Sequence, residues 1–94
     1  MEAKIIKVKS SSDVTKLSSS ITAAVLKRTK DEQVEIRAVG AGAVNQAIKA
    51  VIKANSALHP HGVSVLLRPM FFGFDDPNSG KELSGIGFIL VVSS

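Results

Sequence analysis

Apolar side chains in this sequence recur at every second position over one stretch and at every third or fourth position over the next, and this succession occurs twice. A period of two is typical of a strand with one buried face, whereas a period near 3.6 is typical of an amphipathic helix. The pattern predicts strands over residues 3–9 and 33–39, each followed by a helix, over residues 13–29 and 43–58.

The second half of the chain predicts two more strands. The segment His59-Pro60-His61-Gly62 ends the second helix, because proline cannot continue it and glycine frees the turn. Strands are predicted over residues 63–70 and 84–92, joined by a long connection, residues 71–83, with a strong turn signal at residues 76–80. The two strands should form an antiparallel hairpin.

The resulting order, βαβαββ, predicts an α/β two-layer sandwich. Because strand–helix–strand crossovers to parallel strands are right-handed, both helices should pack on one face of a mixed four-stranded sheet and leave the other face open. A chain of 94 residues is long enough for one hydrophobic core. A single domain over residues 1–94 is therefore expected.

Composition narrows the functional classes. The absence of cysteine excludes disulfides and thiolate metal sites. No apolar run of membrane-spanning length occurs, and the first residues lack the pattern of a signal peptide, so a cytoplasmic protein without a membrane partner is expected. The net charge of +4 and the isoelectric point near 9.7 permit binding to phosphate groups.

Residues 36–51 carry a more specific signal: a strand, a glycine turn, and a helix whose first turns contain Asn45, Ala47 and Ala50. This segment resembles the stage V sporulation protein S family, a bacterial branch of the Alba superfamily, and the similarity extends over about residues 5–70. The resemblance implies the βαβαββ fold, nucleic-acid binding, self-association into dimers or larger assemblies, and a regulatory role in spore development.

Seven residues are candidate contacts for nucleic acid. Four cations occupy strand positions opposite the helix-facing ones and should share the open face, while a glycine turn before a helix leaves amides that suit a phosphate. The candidates are Lys7, Lys9, Arg37, Arg68, Gly40, Gly42 and Asn45. Each group of candidates also has a purely structural interpretation. The basic face, which includes Glu35, can be a solvated face of mixed charge, the glycines can serve only close packing, and Asn45 can complete local hydrogen bonds.

A second hypothesis is a protein–protein or small-ligand module without intrinsic nucleic-acid affinity. Archaeal Alba proteins have adjacent lysines after the first strand, where this chain has Ser10, Ser11 and Ser12, and the hairpin tip is acidic. The segment Phe71-Phe72-Gly73-Phe74 would provide the partner site if exposed, or two of its rings fold back onto the core. A helix-free face with Leu66, Ile89 and Val91 would suit a homodimer.

Catalytic and metal-binding chemistry have weak support. His59 and His61 flank a proline, with only the distant Asp75 and Asp76 as acidic candidates, so no zinc site is specified. No serine lies in a nucleophile-elbow sequence. We therefore expect no catalytic residues, no cofactor and no enzymatic activity.

Overall fold

The computed structural model describes residues 3–93 of the chain. Two helices and four strands alternate in the predicted order, with a short 3-10 helix, His59–His61, after the second helix. The elements are β1 (Ala3–Val8), α1 (Val14–Lys27), β2 (Gln33–Ala38), α2 (Ala41–Leu58), β3 (Ser64–Asp75) and β4 (Glu82–Ser93).

The four strands form one mixed sheet in the order β1-β2-β4-β3. β1 and β2 are parallel, as the crossover through α1 requires, and β4 is antiparallel to both of its neighbours. The last strand therefore lies between β2 and β3, which makes β3 an edge strand. This arrangement confirms the predicted α/β fold class.

The hydrophobic core lies between the two helices and one face of the sheet. Val34, Ile36 and Ala38 of β2 are buried, as the alternation predicts, and so is Phe88 of β4. The small-residue stripe of α2 is wholly buried, which allows this helix to pack closely; it comprises Ala43, Ala47, Ala50 and Ala54. Both helices contribute to this core, so within residues 3–93 the opposite face of the sheet carries no helix.

Both helices differ slightly from their predicted bounds. The Asp13 side chain accepts a hydrogen bond from the backbone N–H of Lys16 at 2.9 Å, so Asp13 is the N-cap and α1 begins one residue later. Its end also comes earlier than predicted, because Arg28 is extended. α2 starts two residues before the predicted position: Gly40 is its N-cap with a φ of 92°, and Gly42 lies within its first turn.

The predicted long connection between the last two strands is wrong. β3 continues through Asp75 and β4 begins at Glu82, so each strand has 12 residues and the hairpin forms a long arm. The turn signal itself is real. The Asp76 carboxylate accepts hydrogen bonds from the Asn78 amide at 3.1 Å and the Ser79 hydroxyl at 2.8 Å, and Gly80 has a φ of 71°.

The exposed edge of β3 is covered at one point by α2. The Asn55 side chain donates to the Val65 carbonyl at 3.0 Å and accepts from the Val65 amide at 2.8 Å. Both outward-facing backbone groups of Val65 are thereby satisfied, which blocks strand addition at this position. Neither helix in residues 3–93 has the length and apolar character that a membrane crossing requires.

Candidate nucleic-acid interface

The helix-free face of the sheet carries the predicted cations of the strands. Lys7 is in register with Arg37 on β2, Arg37 with Gly87 on β4, and Gly87 with Met70 on β3. Side chains in register across a sheet project from the same face. Lys7 and Arg37 are therefore neighbours on the open face, as predicted.

A pocket of about 490 Å³ opens beside this row, between the ends of β1 and β2 and the hairpin arm. Lys7, Lys9 and Arg37 contribute its charged side chains. Its other lining residues are mainly apolar or small: Val8, Ser10, Val39, Phe72, Gly73 and Phe74. The structure thus brings three of the predicted contacts together and adds two aromatic rings to them.

Arg37 is held in place from two sides. Its Nε donates to the carboxylate of Glu35, which is only 7% exposed although it lies on the open face. Its guanidinium carbon lies 5.1 Å from the centroid of the Phe72 ring, within the range of a cation–π contact. Because the Glu35 carboxylate neutralises its charge, Arg37 contributes a fixed planar group to the pocket rather than net positive potential.

Two glycines of β4 make room for the Phe72 ring. A Cβ atom on Gly85 would lie 2.5 Å from the tip of this ring and 3.0 Å from the Ala38 carbonyl oxygen. At Gly87 the corresponding distances are longer, 3.4 Å to Met70 and 3.6 Å to Phe72. The Phe72 side chain of β3 therefore packs directly on the β4 backbone at these glycines. It crosses β4 there and contacts Arg37 of β2.

The three phenylalanine rings of the hairpin arm are divided between its two faces. Phe72 and Phe74 are half-buried on the open face, with ring centroids 5.8 Å apart and planes inclined by 34°. Phe71 projects from the other face and is 77% exposed. Two of the three rings do pack against the protein, but onto the open face rather than into the core beneath the helices.

The remaining predicted contacts lie away from the pocket's centre. Arg68 is on the open face of the edge strand β3, in register with Ile89 of β4. Ile89 is in turn in register with Glu35 of β2, so one strand, β4, separates Arg68 from Glu35. Gly40, Gly42 and Asn45 lie at the N-terminus of α2, all three exposed. A Cβ atom on Gly42 would approach that of Ser10 to 2.9 Å, so this glycine has a packing role.

The acidic residues of the arm avoid the pocket. Asp75 and Glu82 are in register with each other and belong to the strand positions that face the helix side, as does Phe71. Asp76 lies in the turn beyond them, where its hydrogen bonds with Asn78 and Ser79 hold the pKa of its carboxyl below the usual value. The acidic tip therefore does not oppose Lys7 and Lys9 directly.

Sequence reasoning missed the pairing of Phe72 with Arg37. The available signal was the continuation of the period of two through Phe72 and Phe74, together with the alternating glycines Gly85 and Gly87. The strong turn signal at residues 76–80 favours a long connection over residues 71–83, and this prediction conceals the strand pattern of residues 71–75. Within residues 3–93, no cluster of three or more His, Asp or Glu side chains has the arrangement of a metal site.

The fold has a known structural counterpart. The structure is similar to that of Alba from Thermoplasma volcanium, with a TM-score of 0.61, 14% sequence identity, and coverage of 93% of this chain and 98% of that chain. At this level of identity the similarity establishes an Alba-like fold and nothing finer. The family model "Stage V sporulation protein S" matches residues 4–93, and the chain therefore belongs to that family. The match includes the hairpin arm and so extends beyond residues 5–70, over which the sequence resemblance is evident.

Proposed function

We propose that this protein is a nucleic-acid-binding regulatory protein that acts as a dimer and has no enzymatic activity. The observation that carries the proposal is the convergence of the two unpaired lysines, Lys7 and Lys9, on one pocket of the helix-free sheet face within residues 3–93, beside the Glu35-paired Arg37. Basic side chains clustered on one face are the electrostatic footprint of phosphate binding. The Alba-like fold supports the same function, since the superfamily is associated with nucleic-acid binding.

The open face is long enough for two roles. Leu66, which is 65% exposed, and Val91, which is in register with it, lie near the end of the sheet opposite the pocket. Six residues of extended strand, about 20 Å, separate Leu66 from Phe72. A second copy could cover Leu66, Ile89 and Val91 while the pocket stays accessible to a ligand.

The nucleic-acid proposal is tested by fluorescence anisotropy with labelled DNA and RNA at several salt concentrations. We expect log Kd to rise linearly with log salt, and Lys9→Ala to weaken binding and reduce the slope by about 0.7–0.9, the contribution of one phosphate contact. The matched control is Lys49→Ala, an exposed lysine of α2 on the other side of the sheet. Equal effects of the two substitutions, or binding that is insensitive to salt, would reject the proposed surface.

The dimer is tested by light scattering at micromolar concentration. A chain of 9.9 kDa should show twice that mass, and Leu66→Asp should return it to one chain if the apolar end of the face is the contact. A monomeric wild-type protein would remove the dimer from the proposal without affecting the test of nucleic-acid binding.

A protein-partner module is the second candidate, and one observation favours it. Phe71 is 77% exposed on the face of the arm that does not line the pocket. Affinity capture with and without nuclease distinguishes the two functions: a partner that stays bound after nuclease treatment and is lost with Phe71→Ala supports the second candidate. Capture abolished by nuclease supports the first.

A further inference from the structure

We propose that the pocket between β1, β2 and the hairpin arm binds one nucleotide unit with an unstacked base, so that the protein prefers single strands to duplexes. This inference rests on the proposed function and assigns the ligand class of the same site. Its basis is the presence of two aromatic rings and a guanidinium plane beside two lysines in one pocket of about 490 Å³.

The aromatic part of the pocket is built to present flat surfaces. Phe72 lies against the backbone at Gly85 and contacts the Arg37 guanidinium, while Phe74, whose ring centroid is 5.8 Å away, lines the same pocket. Single-stranded bases stack on aromatic side chains and on arginine guanidinium planes. Because Glu35 pairs with Arg37, the guanidinium plane is held in position before any ligand arrives.

The charged part of the pocket suits a phosphate next to the base. In the part of the chain that the structure describes, no acidic side chain lies within ion-pairing distance of Lys7 or Lys9. The acidic residues of the arm, Asp75 and Glu82, lie on its other face. A ligand with an apolar planar part and a negative charge fits these surroundings better than either an apolar peptide or a simple anion.

The shape of the site explains a preference for single strands. The volume falls within the range of small-molecule sites, which is enough for one nucleotide but not for a double helix. The faces of bases inside a duplex are covered by their neighbours, so a duplex can reach the lysines with its phosphates but cannot stack on Phe74 without unpairing. Duplex binding should therefore use only the electrostatic part of the site.

Three labelled probes of equal length separate these contributions: a 12-nucleotide DNA strand, the same strand annealed to its complement, and a 12-unit abasic strand. We expect Phe74→Ala to weaken binding of the base-containing strand about 5- to 150-fold, the range measured for loss of one stacked base, and to change binding of the abasic strand less than about twofold. Lys9→Ala should weaken binding of all three probes.

Phe71→Ala is the matched control, because it removes a neighbouring and more exposed ring from the opposite face of the same strand. It should leave the affinities for all three probes unchanged. Phe74→Leu keeps apolar bulk while removing the aromatic plane, so a loss of affinity in this variant, with an unchanged thermal unfolding midpoint, excludes misfolding as the cause.

The outcomes also separate this inference from the function on which it rests. Equal affinity for the strand, the duplex and the abasic probe, with Phe74→Ala like wild type, would overturn the stacking site and leave a phosphate-binding protein. No binding to any probe would reject both.

Titration with AMP, followed by NMR chemical shifts at Val8, Val39 and Gly73, shows whether the site takes a free nucleotide or a strand. Shifts at millimolar AMP indicate that a free nucleotide is sufficient for binding. Their absence, together with binding of the strand, assigns the site to a nucleic-acid strand.

Discussion

The substitution Gly85→Ala should destabilise the fold and displace Phe72 from Arg37, whereas Gly87→Ala should do neither. Both glycines are buried on β4, at positions where a side chain would point to the open face of the sheet. An added methyl at Gly85 would lie 2.5 Å from the Phe72 ring and 3.0 Å from a backbone oxygen, while at Gly87 the nearest atom would be 3.4 Å away. Only the first position forces a neighbour to move.

The expected difference follows from two effects. Replacing glycine by alanine in a strand reduces the conformational entropy of the unfolded chain and stabilises the fold by about 0.5–1 kcal/mol, a gain common to both variants. Overpacking a filled site costs about 1–3 kcal/mol and applies to Gly85 alone. The free energy of unfolding should therefore be about 1–3 kcal/mol lower for Gly85→Ala than for Gly87→Ala.

Urea unfolding followed by circular dichroism measures this difference, and for a domain of this size each kcal/mol corresponds to a shift of about 4–8 °C in the thermal midpoint. Gly85→Ala should also lose affinity for the single-stranded probe, since Phe72 can no longer rest beside Arg37. Equal stability of the two variants would refute the conclusion that Phe72 packs directly on the β4 backbone at Gly85.

Two further substitutions test how local hydrogen bonds support the fold. Asn55→Ala removes two partly buried hydrogen bonds to Val65 and should lower the free energy of unfolding by about 1–3 kcal/mol, measured in urea; a change below about 0.5 kcal/mol would contradict the edge-covering role. A hydrogen bond from the Lys16 amide lowers the pKa of the Asp13 carboxyl below its ordinary 3.8 in the folded protein. The stability that this N-cap adds to the fold is therefore fully present above pH 3.8, and it is lost as the pH falls through the lower pKa of the folded state. The thermal midpoint of Asp13→Asn, which keeps a cap acceptor without titrating, should fall less than that of wild type on acidification below about pH 4, and parallel curves would contradict this role.

Much of the architecture follows from local patterns. Val34, Ile36 and Ala38 alternate with Glu35 and Arg37, and this spacing alone assigns the buried and open faces of β2. The helix stripes, the glycine turn and the order βαβαββ are likewise readable, because period and turn chemistry depend on neighbouring residues. The same reasoning placed Lys7, Lys9 and Arg37 on one surface, and the structure gathers them in one pocket.

The sequence by itself determined the succession of elements, the apolar face of each, and the family to which the chain belongs. Only the tertiary structure decided that β4 lies between β2 and β3, which places Gly85 where Phe72 can cross it to reach Arg37. It also decided that Arg37 is neutralised by Glu35 and that the acidic residues of the arm face away from the lysines. Strand order and register come from contacts between residues far apart in the chain, and a local period specifies which face a residue occupies but not which residue lies opposite.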